Sequence, residues 1–239
     1  MRHIISAICL VSLLPIYSLM GGEAIGIILP FKEVIVSAST ENTVQNLEVE
    51  IGSEVKKGAV LARLDSRIHD LQVKRFERVL TLSTTTYEST SQLVKDDIIS
   101  KEEALKAEIE RDLAQTQLEV AKVELSLQTI TAPMDGIIVE ALKEEGETVK
   151  KAEEMFVLIN IDQVFLQLFL SAEEAYSIKK DQVVDIHFPV MPGKNTYKGK
   201  VYFIDPRIDA TSGLLRTRIL IENPDHEIRA GMRGEVVIP

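Results

Sequence analysis

Hydrophobic and polar positions change their period several times along this chain, and each change predicts a different element. "IGIILP" and "KEVIVSAS", rich in Ile and Val and split by Pro30, predict two short strands. "VQNLEVEIG" alternates at Val44, Leu47, Val49 and Ile51, and "EVKKGAVLARLD" places Val60, Ala62 and Leu64 on one face. Turns at Gly52 and Gly58 fold these strands into a small β-module.

From Ser66 to Gln128 glycine and proline vanish and Glu, Lys, Leu, Ala and Gln dominate, which predicts helix. Ile68, Leu71, Arg75, Val79, Leu82, Thr86, Ser89 and Leu93 keep a 3,4 spacing. So do Leu105, Ile109, Leu113, Thr116, Val120, Val123, Leu127 and Ile130. That spacing is the seam of a coiled coil. Between the halves, Ser100 and Glu103 form an S-x-x-E capping box that starts a second helix, so an antiparallel hairpin is expected with its tip near Asp96 to Ser100. Beside the second seam runs another stripe, Ala107, Ala114, Leu118, Ala121 and Leu125. A two-helix hairpin uses one stripe, leaving the other for a neighbour or, for the alanines, for helix propensity alone.

β-character returns in "TITAPMDGIIVEALKEEGETVKKAEEMFVLI", where Pro133 ends the helix and Asp135-Gly136 supplies a turn. "GETVKKAEEMFVLI" is a near copy of "GSEVKKGAVLARLD", displaced by 94 residues, with Gly146 in the place of Gly52. The repeat implies one sandwich cut in two by the helices, because an antiparallel insertion returns the chain to where it left. Five further strands, "VFLQLFL", "VVDIHF", "YKGKVYFI", "LLRTRILIE" and "RGEVVIP", with turns at "MPGKN", "DPRIDATSG" and "ENPDHE", predict a small antiparallel barrel, completed by the early "IGIIL" strand. A short helix capped by Ser171 and Glu174 follows the first of them. The fold class expected is α+β, elongated and modular: a split β-sandwich with an inserted antiparallel coiled-coil hairpin, then a β-barrel.

Composition adds limits. The 239 residues are 45% hydrophobic and 27% charged, as in folded protein, and the formal charge is −10. Basic residues are dispersed among acids, so nucleic acid is not an expected partner. Arg2 and His3, the apolar run Ile4 to Met20, and Gly22 and Ala24 at cleavage-site spacing predict a secretory signal over residues 1–24; the run is short for a membrane span and Pro15 interrupts it. Its rival is an uncleaved anchor. The single cysteine, Cys9, lies inside this segment, so stability beyond it must come from packing.

Here the residues carry a resemblance. "VQNLEVEIGSEVKKGAVLARLD", "ISKEEA", "TITAPMDGIIVEALKEEGETVKKAEEMF" and "DPRIDATSGLLRTRILIENPDHEIRAGMRGEVVI" resemble the biotinyl-lipoyl-like halves, hairpin tip and barrel of the membrane fusion proteins, the HlyD-like, RND-type periplasmic adaptors of efflux pumps. The resemblance implies a signal over 1–24, a strand joining the barrel over 25–32, lipoyl-like halves over 33–65 and 129–162, the hairpin over 66–128 and the barrel over 163–239. It implies a non-enzymatic adaptor, associated with the inner membrane from the periplasm, that links an RND-type inner-membrane transporter to an outer-membrane channel for export of small molecules. Several copies would form a homo-oligomeric ring. At the tip it implies channel contact by Leu93, Ile98, Ile99 and Ser100; the family's preceding arginine is Ser89 here. Gly52, Gly58, Gly136 and Gly146 are the expected structural turns of the halves. Larger members add a membrane-proximal domain using residues past the barrel's last strand, which is expected to be missing here.

Other chemistry is weaker. Lipoyl and biotinyl carriers attach their cofactor to a hairpin lysine joining the halves, where this chain has helices; Lys56, Lys57, Lys150 and Lys151 follow the glycine turns as solvated charges. A carrier protein and an adaptor for polypeptide secretion are the alternatives, with a self-associating coiled-coil protein as a third. His3, His69, His187 and His226 show no ligand spacing; His187 and Met191 in "HFPVM" could offer soft ligands but read as strand and turn. Gly213, Arg216, Arg218, Gly231, Met232 and Gly234 read either as pump or channel contacts or as turn and surface residues. No triad, P-loop or dinucleotide fingerprint occurs, and neither cofactor nor metal is expected.

Overall fold

The computed structural model describes residues 22–191 and 196–238. The leader with Cys9 lies outside them apart from Gly22 to Ala24, as does most of the turn "MPGKN". In order the elements are β1 Gly22–Ser37, β2 Asn42–Leu47, β3 Glu54–Val55, β4 Val60–Leu64, α1 Arg67–Lys95, α2 Lys101–Ser126, β5 Thr129–Thr131, β6 Gly136–Ala141, β7 Thr148–Val149, β8 Glu154–Ser171, α3 Ala172–Ser177, β9 Val183–His187, β10 Thr196–Ile204, β11 Leu214–Glu222 and β12 Arg233–Ile238. They divide into two compact units, one holding the chain up to Leu29, Phe165–Glu222 and the chain from Ala230, the other Pro30–Val164 and Asn223–Arg229.

The first unit is a barrel. Its strands follow the order β1-β12-β9-β10-β11-β8, and β8 pairs with β1 to close it. Closure removes free edges. Ile28, Leu166, Leu168, Ile186, Val201 and Ile219 fill the interior. Space there is tight: a Cβ on Gly199 would fall 2.5 Å from both Ile186 and Ile219. Gly22–Ala24 pair with Val236–Ile238. Pro30 does not split β1 as expected; one 16-residue strand runs through it, and the boundary between the units falls at Leu29 and Pro30. α3 begins with a full capping box between Ser171 and Glu174.

The second unit explains the repeated phrase. One sheet has the order β5-β4-β2-β7, while β3 pairs with β6 and β6 with β8. Hydrogen bonds of the two copies exchange. Gly52 N donates to Ile138 O, and Gly146 N donates to Val44 O; Gly58 N donates to Ala132 O, and Ala152 N donates to Ala38 O. Each acceptor in one half is the 94-residue counterpart of the acceptor in the other. Neither half therefore satisfies its turns without its twin. Leu61, Leu64, Ile138, Val149, Phe156 and Leu158 form their common core.

Gly52, Gly58 and Gly146 have φ of 92°, 85° and 87°, a region that costs other residues about 1–2 kcal/mol. Gly136 differs from its expected turn role: it opens strand β6, and a Cβ there would collide with the Ile159 carbonyl. Close backbone approach, rather than a turn, excludes a side chain at this position. The bend before it is held by Asp135, whose carboxylate accepts from Lys57 N at 2.7 Å.

Between the halves, α1 and α2 lie against each other. Arg111 stacks on the Tyr87 ring at 4.3 Å while Val73 clusters with Leu118 and Ala121, so the helices run antiparallel. The contact does not use the expected seam. Leu82 is 70% exposed, Ile109 58% and Val123 59%, whereas Ala107, Ala114, Leu118 and Ala121 are buried. Against them α1 turns Val73, Phe76, Leu80 and Tyr87 inward, again at 3,4 spacing. Both stripes had the right period. The alanine stripe lets the backbones approach, so larger side chains of the other stripe are left outside.

Candidate docking surfaces

Three surfaces stand out, and the first is the turn between α1 and α2. Asp96 N and Asp97 N donate to Gln92 O and Val94 O, Ile98 N donates to Leu93 O, and Asp97 adopts φ 56°. This geometry stops α1 within three residues. Ser100 Oγ then accepts from Glu103 N at 3.3 Å and starts α2. Ile98 is 65% exposed and Leu93 39%, while Ile99 is half-buried. Of the four residues expected to touch a channel, Leu93 and Ile98 thus present apolar surface. The Ser100 hydroxyl is engaged as a cap, and Ser89 Oγ donates to Thr85 O.

The second surface is the outward face of the helices, carrying Ile68, Leu71, Val79 and Leu82 on α1 and Leu105, Ile109, Leu113, Val120 and Val123 on α2. At their base Asn42 donates to the Asp65 carbonyl and to Gln128 Oε1. The Arg67 guanidinium, 2.6 Å from Asp65, holds that carboxyl down at about 2.

The third is the loop from Asp205 to Leu214 on the barrel. The Asp205 side chain is almost wholly buried, accepts from Arg207 and from Arg216 Nη2, and is held at about 2 chiefly by Arg207. Asp209 accepts from the backbone of Thr211 and Ser212, and Gly213 closes the loop at φ 72°. Beside it lies a hollow of about 430 Å³ lined by Phe169, Ile208, Leu214, Arg207 and Arg216. The sequence marked Arg216 but missed Asp205 as its organiser; the phrase "DPRID" before a glycine turn was the available signal. Arg218 donates instead to Gln167.

For covalent or metal chemistry the arrangement offers little. Lys56 lies 3.5 Å from Asp135 at the surface. His226 bonds Asp162 at 2.9 Å and draws that carboxyl below its usual range. Among the described residues no group of three or more His, Cys, Asp or Glu could hold a metal ion, and no helix is long and apolar enough to cross a membrane.

Residues 32–160 match the CzcB-like barrel-sandwich hybrid domain, and residues 163–238 match the CusB-like beta-barrel domain. The chain belongs to the membrane fusion protein family. Relatives of this membrane fusion protein include the antibiotic efflux pump periplasmic linker protein ArpA of Pseudomonas putida, 24% identical over 76% of the chain and 53% of ArpA. Another is the macrolide export protein MacA of Yersinia pestis, 25% identical over 87% of the chain and 64% of MacA. The chain thus spans about half the length of the linker proteins it matches. A crystal structure of a MacA-MexA chimera containing the Pseudomonas aeruginosa MexA α-hairpin domain superposes with a TM-score of 0.80 at 24% identity, covering 91% of this chain and 81% of that one.

Proposed function

We propose that this membrane fusion protein is a non-catalytic adaptor of an efflux assembly, joining an inner-membrane transporter, of RND type, to an outer-membrane channel for export of small molecules. Residues 1–24 direct it to the periplasm, where it stays associated with the inner membrane. The barrel, over residues 163–239 with the strand from residue 25, meets the transporter. The lipoyl-like halves, 33–65 and 129–162, set copies side by side in a ring, and α1 and α2 form a coiled-coil hairpin directed at the channel. Leu93, Ile98, Ile99 and Ser100 meet the channel.

One observation carries the reading. Helices of 29 and 26 residues, about 40 Å long, end in a turn that exposes Leu93 and Ile98 and carries Asp96 and Asp97. Ile98 and the open part of Leu93 leave apolar surface that the chain's own core does not cover, which fits a surface covered by a partner.

In-cell cross-linking tests this. Single cysteines at Leu93 and Ser100 should capture an outer-membrane channel, and one at Lys198, exposed on β10, an inner-membrane transporter. Capture by the tip of nothing but further copies of the chain would refute the adaptor role.

A further inference from the structure

The seam between α1 and α2 changes its material along the pair. At the base, Val73, Phe76 and Leu80 of α1 meet Leu118, Ala121 and Leu125 of α2. The same 3,4 stripe of α1 continues toward the tip as Ser83 and Thr84, Tyr87, then Thr90 and Ser91, all half-buried. With Tyr87 under Arg111, antiparallel packing sets these residues level with the buried Ala114 and Ala107. Between Thr81 and Ser91 the seam is therefore hydroxyls and one ring against alanine, and the apolar burial that holds the base is largely missing.

α1 is also a poor helix in this stretch. Eight of the eleven residues from Thr81 to Ser91 are Ser or Thr, which favour helix less than Ala, Leu or Glu because their hydroxyls compete for the backbone and Thr is branched at Cβ. Five of those hydroxyls donate to the carbonyl four residues earlier: Thr81 to Glu77, Thr85 to Thr81, Thr86 to Leu82, Ser89 to Thr85 and Thr90 to Thr86. Bonds of this kind weaken the helical ladder and bend it. Thr90, on the seam, thereby turns its hydroxyl to its own helix and not to α2. α2, built largely of Glu, Ala, Leu and Lys, carries one such bond in its interior, from Thr116 to Asp112.

One contact spans the weak stretch. The Arg111 guanidinium lies 4.3 Å above the Tyr87 ring and is held in place by Asp112 at 2.6 Å and Glu108 at 3.8 Å. Among the described residues the hydrogen bonds and ion pairs beyond Leu80 stay within one helix or the turn. The base, by contrast, is tied to β2 through Asn42, which donates to Gln128.

We infer that the distal part of the pair, from Thr81 to Leu113, opens as a local unit while the base stays formed, with Tyr87 and Arg111 as its clasp. A segment with little buried apolar surface opens at far lower cost than a packed core. The device sets how firmly the turn bearing Leu93 and Ile98 is presented. A partner that recognises the closed tip draws the segment shut, and its apparent affinity is scaled by the fraction of chains already closed. The inference concerns the free chain and holds whatever meets the tip.

Amide exchange of the full chain, read by mass spectrometry, tests it. Peptides from 81–95 and 101–113 should exchange about tenfold faster or more than those from 67–80 and 114–126, after correction for sequence. Tyr87→Ala or Arg111→Gln should speed the distal peptides by about two- to fivefold and leave the base unchanged. Tyr87→Phe, which keeps the ring face, should match the wild type. Thr85→Ala with Thr86→Ala and Ser89→Ala, all at exposed positions, should slow the distal peptides by about tenfold through helix propensity alone. Equal protection from base to tip overturns the local unit, as does a single rate that the substitutions shift at base and tip together. Distal exchange that ignores both Tyr87→Ala and Arg111→Gln overturns the clasp, and distal exchange that ignores the triple alanine variant overturns the weak stretch of α1 as its cause.

Discussion

The sandwich and the helix pair inserted in it bury apolar residues in opposite ways. In the sandwich, large side chains such as Leu61, Ile138, Phe156 and Leu158 are sealed between two halves that supply each other's hydrogen bonds. In the helix pair α2 brings mainly alanines to the seam, where Val73, Phe76 and Leu80 of α1 meet them, and a second set of large side chains, Leu82 and Ile109 among them, stays outside. The first region is complete within one chain. The second is closed along its seam and open on its flank, as expected of a segment stabilised further by a neighbour.

Substitutions can sharpen this contrast, starting with the largest effect. Phe156→Ala should cost about 3–5 kcal/mol in denaturant unfolding, because a fully buried ring leaves a cavity shared by both halves. Ala121→Leu, which overpacks the seam, should cost about 1–3 kcal/mol, visible as faster amide exchange in α1 and α2. Leu82→Ala on the outer stripe should change chain stability by less than about 0.5 kcal/mol in denaturant unfolding. If Leu82→Ala proves the more destabilising of the two, the buried and exposed stripes have been interchanged.

The two sandwich halves offer a finer comparison. Ala152 at φ 64° stands where the other half has Gly58 at φ 85°. Gly58→Ala should therefore destabilise by about 1 kcal/mol and Ala152→Gly should stabilise by a few tenths of that or more in thermal unfolding. The smallest effect is electrostatic. Asp205 titrates at about 2 in the folded barrel against an ordinary value of 3.8, so its contribution is fully present above about pH 4. As pH falls toward 2 that contribution is lost. Asp205→Asn should remove this part of the acid sensitivity, read from unfolding curves at pH 2 and pH 5.

Sequence and structure parted where two solutions shared one period. Leu82 and Leu118 both sit in 3,4 stripes, and hydrophobicity favoured the stripe with Leu, Ile and Val. Which stripe faces inward depends on how closely two backbones approach, a property of the pair that neither helix shows alone. At the tip, the end of α1 and the start of α2 were legible because the capping serine Ser100 and a break in periodicity mark them, whereas Leu93 and Ile98 were singled out by the resemblance alone. The Asp205 cluster was not, since its arginines, Arg207 and Arg216, come together only across the loop.

By itself the sequence determined the element types, the places where the chain turns, and the relation of the two β-halves, because period, glycine placement and a 94-residue repeat are local or self-referring signals. Tertiary structure decided that β1 runs unbroken through Pro30, that Gly136 serves close approach, and that the alanine stripe of α2 is the one facing α1. Each of these depends on distances between segments far apart in the chain. Backbone separation and the space left for a side chain are set only when those segments pack.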